Sequence, residues 1–120
     1  MASVKNVLPI VQSTKLIGQA VAYYPNIANV INSTDATLFI CQFIYWADNI
    51  DENGISNWIK RTSTEIQQFT GVNQNSQVTA RKRLINLGIL TEKKMGIPST
   101  LHFQFDFNKL NEILSEGLSE

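Results

Sequence analysis

The chain contains one cysteine, Cys41, and one histidine, His102, in 120 residues. A single thiol excludes an internal disulfide and any zinc site built from cysteines, and a lone histidine makes a poor metal ligand set, so no metal is expected. Six glycines and three prolines are too few for a low-complexity or collagen-like chain, and 43% hydrophobic residues are too many for intrinsic disorder. The longest mostly apolar segment, Ala36 to Ala47, is interrupted by Thr37 and Gln42 and falls well short of the ~20 residues that span a bilayer. The N-terminal stretch MASVKNVLPIVQSTK has no long apolar core and no small-residue cleavage site, so no secretion signal is expected and a reducing cytoplasm suits the free thiol. No GxxxxGKS or GxxxxGKT phosphate loop is present and no nucleotide or other cofactor is expected. Acidic residues sit where caps, turns and a terminal helix explain them, and no Ser, His and acid arrangement stands out, so an enzyme is not expected.

Ten basic residues balance ten acidic ones, which argues against a generic polyanion binder. The balance is not local. From Lys60 to Lys94 the chain carries Lys60, Arg61, Arg81, Lys82, Arg83, Lys93 and Lys94 against Glu65 and Glu92 alone. Such polarity within one domain points to one face that meets an anion.

Length and composition indicate one domain. Residues 1–24 read as an extended segment because Pro9 and Gly18 discourage a long helix among β-prone residues. Pro25 suits the first position of a short helix to Ile31. Asn32, Ser33 and Thr34 offer caps to a long helix from about Asp35 to Ala47, apolar nearly all round and hence central to the core or shared with a second subunit. The turn formers of Asp48 to Gly54 precede a strand expected from Ile55 to Arg61. Thr62 to Glu65 matches a capping box, opening a brief helix whose buried side is expected to be Ile66 and Phe69 and which Gly71 ends.

Asn73 caps a helix expected over 74–87. Stepping at about 100° per residue places Gln77, Ala80, Leu84 and Leu87 on an inner arc and Asn75, Val78, Thr79, Lys82 and Asn86 broadly opposite. A strand from Ile89 to Lys94, a turn at Met95 to Pro98, and a strand from Thr100 to Phe107 follow. In the last of these Leu101, Phe103, Phe105 and Phe107 alternate with His102, Gln104 and Asp106. Asn108 is expected to cap a final helix bearing Leu110, Ile113 and Leu114. Tyr23, Tyr24, Trp46 and Trp58 are expected in core or dimer packing rather than in stacking on bases.

Helix, strand, short helix, glycine turn, polar-faced helix and basic hairpin make an α+β chain, mainly α, in the order of a winged helix-turn-helix with a C-terminal helix, occupying residues 25–120. An α-helix fits the DNA major groove, and a cationic hairpin can meet phosphate. The expected base-reading residues are Asn75, Thr79, Lys82, Arg83 and Asn86. The expected backbone contacts are Lys60, Arg61 and Arg81, with Lys93 and Lys94 on the wing at 90–105.

The runs Trp58 to Gly71, Thr79 to Leu90 and Gly96-Ile97-Pro98, with Tyr24 to Ala28 and Gln42 to Trp46 upstream, resemble the winged-helix modules of phage and plasmid replication proteins, including replication initiators and the N-terminal domains of helicase loaders. The resemblance spans roughly Tyr23 to Leu114. It implies double-stranded DNA as partner, at an origin or operator, in replication initiation or its control. Winged helices of this pattern also serve transcriptional regulators and adaptors that bind a replication protein or a host defence complex. Apolar surplus in the first half of the chain adds the expectation of a homodimer.

Overall fold

The computed structural model describes residues 18–118. Residues 18–24 have no regular structure, and the remainder of the 1–24 segment lies outside the described residues. The elements are α1 (Pro25–Ile31), α2 (Thr34–Trp46), β1 (Ile59–Lys60), α3 (Ser63–Thr70), α4 (Gln74–Asn86), β2 (Leu90–Met95), β3 (Thr100–Phe105) and α5 (Phe107–Leu118). The strands form one antiparallel sheet in the order β1-β3-β2. The fold is therefore α+β, with five helices and three strands among the described residues.

Local chemistry sets most boundaries. Pro25 opens α1, and Asn32 closes it in the left-handed region at φ 57, a conformation asparagine tolerates better than most residues. Of the three cap candidates it is Ser33 that acts, its Oγ accepting from the Ala36 amide at 3.1 Å, so α2 starts at Thr34. The buried residues Phe39 and Phe43 of α2 meet Phe103 and Phe105 of β3 in one aromatic cluster, with centroids 4.9 Å apart for Phe39–Phe43 and 5.2 Å for Phe43–Phe103. Each such ring withdrawn from water contributes roughly 1.5–3 kcal/mol, and the cluster fastens the sheet to the central helix.

The apolar girth of α2 is covered within one chain by α1, α3, α4 and the sheet, with Tyr45 left exposed, which makes it the central core helix, the first of its two expected places. Several other expectations are corrected. The strand expected from Ile55 shrinks to Ile59–Lys60 because Ser56 diverts the ladder. Its amide donates to the Phe105 carbonyl, but the Phe105 amide donates to the Ser56 hydroxyl at 2.8 Å instead of to its carbonyl. What remains upstream is a bridge between Ile55 and Asp106. The third strand ends at Phe105 rather than Phe107, since Asp106 Oδ1 accepts from the Lys109 amide at 2.9 Å and starts α5; Asp106, not Asn108, is the cap. Phe69 is exposed, only Ile66 of α3 being buried, and its ring rests edge-on against Trp46 at 5.4 Å. Tyr23, Tyr24 and Trp58 are exposed in the single chain, so they do not pack in its core.

Candidate nucleic-acid interface

The pair α3–α4 is built from reciprocal hydrogen bonds that the sequence encodes at short range. Thr62 Oγ1 accepts from the Glu65 amide at 3.1 Å, and a Glu65 carboxylate oxygen accepts from the Thr62 amide at 3.0 Å. That backbone donor, helped by Thr62's hydroxyl and by Arg61 and Lys60, holds the Glu65 carboxyl below its ordinary range. Gly71 turns the chain at φ 78, where a side chain would be strained. Asn73 Oδ1 then accepts from the Ser76 amide at 2.9 Å and opens α4.

The angle between the two helices is held by a residue whose duty is not visible in the sequence. Gln77 is fully buried, and its amide nitrogen donates at 2.9 Å both to the Ser63 carbonyl and to the Val72 carbonyl. One side chain thus ties the start of α3 and the interhelical turn to the first turn of α4. Helical stepping places Gln77 inward, but only the fold supplies its two acceptors.

Beside Gln77 on the inner side of α4, Ala80 and Leu84 are buried. On the outer side Asn75, Thr79, Lys82 and Asn86 are all exposed. At 3.6 residues per turn these four lie within an arc of about 60°. Val78, 41% exposed, flanks them and presents an apolar patch.

The two arginines beside Lys82 are engaged within the protein. Arg83 Nε and Nη2 donate to the Ile31 carbonyl at 3.1 and 2.7 Å, which satisfies an end group of α1. Arg81 lies 3.5 Å from the Glu92 carboxylate, with both side chains largely covered. Arg61 lays its guanidinium over the Trp46 ring at 4.2 Å. Lys60, Lys93 and Lys94 are exposed. Strand alternation sends Lys93 and Lys94 to opposite faces of the hairpin.

Among the described residues no group of three or more His, Cys, Asp or Glu side chains is arranged to hold a metal ion, and no helix is long and apolar enough to cross a membrane. Burial pushes the Cys41 thiol above its ordinary range, against a smaller opposing effect from a hydrogen bond with the Tyr24 backbone. That makes it a poor nucleophile.

No protein-family model matches the chain, and no curated protein is significantly similar to it. A solved structure described as the N-terminal domain of a DNA binding protein superposes with a TM-score of 0.54 at 12% identity, covering 90% of this chain and 93% of that one. At that identity the likeness is one of fold.

Proposed function

We propose that this chain is a winged helix-turn-helix protein that binds double-stranded DNA, with α4 in the major groove and the β2–β3 hairpin as wing. The observation that carries the reading is the outer arc of α4. Asn75, Thr79, Lys82 and Asn86 stand exposed in one strip on a helix whose opposite side is locked by Gln77, Ala80 and Leu84. Amide and ammonium groups at that spacing suit base edges, and Val78 beside them suits a thymine methyl. Lys60, Lys93 and Lys94 supply cations for phosphate, which sets orientation and affinity rather than sequence. The description of the structural neighbour as part of a DNA binding protein agrees with this reading.

Arg81 and Arg83 leave the contact surface in this assignment, because the Arg83 guanidinium donates to the Ile31 carbonyl and the largely covered Arg81 side chain is ion-paired with Glu92. Arg61, stacked on Trp46, contributes positive potential at the edge of the site. The chain acts by binding, without catalysis and without a cofactor. The resemblance of Trp58–Gly71 and Thr79–Leu90 to replication modules favours an origin or operator of a phage or plasmid, in replication initiation or its control.

Selection from random duplex DNA, followed by sequencing of the retained pool, tests the reading. An enriched motif a few base pairs wide is the expected result. Retention without enrichment would remove the base-reading role of α4, and no retention at low salt would overturn DNA binding itself.

A further inference from the structure

The strand register brings together three residues that lie far apart in sequence. Lys60 of β1 pairs with His102 of β3, and His102 pairs with Lys93 of β2. Directly opposed residues in antiparallel strands have Cα atoms about 4.5–5.5 Å apart, so the two lysines stand roughly 10 Å apart with the imidazole between them. Their neighbours Ile59 and Phe103 also pair, and Phe103 is fully buried in the core. Alternation therefore turns the Lys60–His102–Lys93 row to the outer face of the sheet.

Like charges set directly across strands are destabilising, and no carboxylate of the three strands shares this face. Glu92 alternates to the other side and meets Arg81. Asp106, beyond the end of β3, accepts at its Oδ1 from the Lys109 amide. The remaining paired positions on the outer face, Thr91 with Gln104 and Met95 with Thr100, carry no charge. The row is thus a cationic cradle with no carboxylate on its own sheet face; the Glu65 carboxylate of α3, which accepts from the Thr62 amide, is the acidic group that interacts with Lys60.

His102 Nδ1 lies 3.1 Å from the Thr100 carbonyl oxygen. A carbonyl only accepts, so the hydrogen of the neutral ring sits on Nδ1 and Nε2 carries a lone pair. An anion bound between the lysines meets that lone pair unfavourably. A proton taken onto Nε2 turns the same atom into a charge-assisted donor.

We propose that Lys60, His102 and Lys93 form a proton-coupled phosphate site: a phosphodiester of the duplex backbone seats between the two ammonium groups, and His102 Nε2 takes one proton from solvent as it binds. The inference rests on the DNA-binding reading for its ligand, and makes affinity depend on pH through a single residue. His102 is the only histidine in the chain, so the imidazole response has one source.

The test measures affinity for the selected duplex at fixed salt from pH 5.5 to 8 for the parent chain and His102→Gln, with proton uptake counted by calorimetry in two buffers of different ionisation enthalpy. In parallel, the His102 ring resonance of the full chain is followed by NMR as inorganic pyrophosphate is added. The parent is expected to lose affinity as pH rises, approaching about tenfold per pH unit where one whole proton is coupled. His102→Gln is expected to show a flat profile at the parent's high-pH affinity and no coupled proton. Identical profiles for the two proteins, with DNA bound by both, would overturn the proton-coupled site and leave the DNA reading standing. No duplex binding at any pH would overturn the DNA reading and the phosphodiester as ligand, even if the ring resonance still responded to pyrophosphate.

Discussion

Replacing Arg83 by alanine removes two donors from the Ile31 carbonyl, at 3.1 and 2.7 Å, across 52 positions of sequence. Ile31 is the last residue of α1 and is itself buried, so water reaches the abandoned carbonyl poorly. A hydrogen bond from a charged donor contributes about 1.5–3 kcal/mol when well buried. Here both donors share one acceptor and the guanidinium is partly wet, which lowers the expected loss to about 1 kcal/mol. Alanine's better helix propensity offsets a few tenths of that. For a domain of this size the net loss corresponds to a fall in Tm of about 4 °C. Lys82, one position earlier, is exposed. Its replacement by alanine is expected to leave Tm unchanged and to weaken binding of the selected duplex by ~1–3 kcal/mol, relaxing preference at one base pair. Thermal unfolding followed by circular dichroism, paired with anisotropy titrations of the duplex, separates the two. An Arg83→Ala protein with the parent's Tm and a loss of sequence preference matching that of Lys82→Ala would refute the argument and return Arg83 to the groove.

The wing lysines carry a different signature: Lys93→Ala with Lys94→Ala is expected to weaken binding to all sequences alike and to flatten the salt dependence by ~0.9 in log–log slope for each phosphate no longer neutralised. A slope equal to the parent's would show that neither touches the backbone. Gln77→Leu keeps a similar volume but strips the donors from the Ser63 and Val72 carbonyls; denaturant unfolding is expected to reveal a loss of about 1–3 kcal/mol, and an unchanged midpoint would show that the turn holds without the amide. Glu65 has a folded-state pKa below its ordinary value because the Thr62 amide donates to it. Its stabilising contribution is therefore present at neutral pH and disappears as pH falls through that lowered value. The gap between the parent and Glu65→Ala is expected to close on acidification, and a gap that stays constant from neutral to strongly acidic pH would contradict the capping account.

Where a boundary depends on residues three or four apart, the sequence predicts it closely. The capping box at Thr62 and Glu65, the turn at Gly71 and the cap at Asn73 need only the chain's own neighbours, and α3 and α4 begin where those signals place them. The inner and outer arcs of α4 are equally legible, because helical stepping is fixed by geometry. Phe69 marks the limit of the same geometry. A short helix declares which residues share a side, but not how far that side is covered, and α3 buries Ile66 while leaving Phe69 against Trp46 at the surface.

The order of elements, the polar strip on α4 and the concentration of positive charge between Lys60 and Lys94 thus follow from the amino acids in their linear order. Which of those cations remain available for a ligand follows from packing. Arg83 finds its acceptor 52 residues away in α1, Arg81 finds Glu92 on a strand, and Lys60 and Lys93 are brought to either side of His102 by the sheet's register. Helix caps close over three or four residues of one segment, whereas a guanidinium's partner and a strand's neighbour are set by how whole elements pack. Local patterning does not encode that packing.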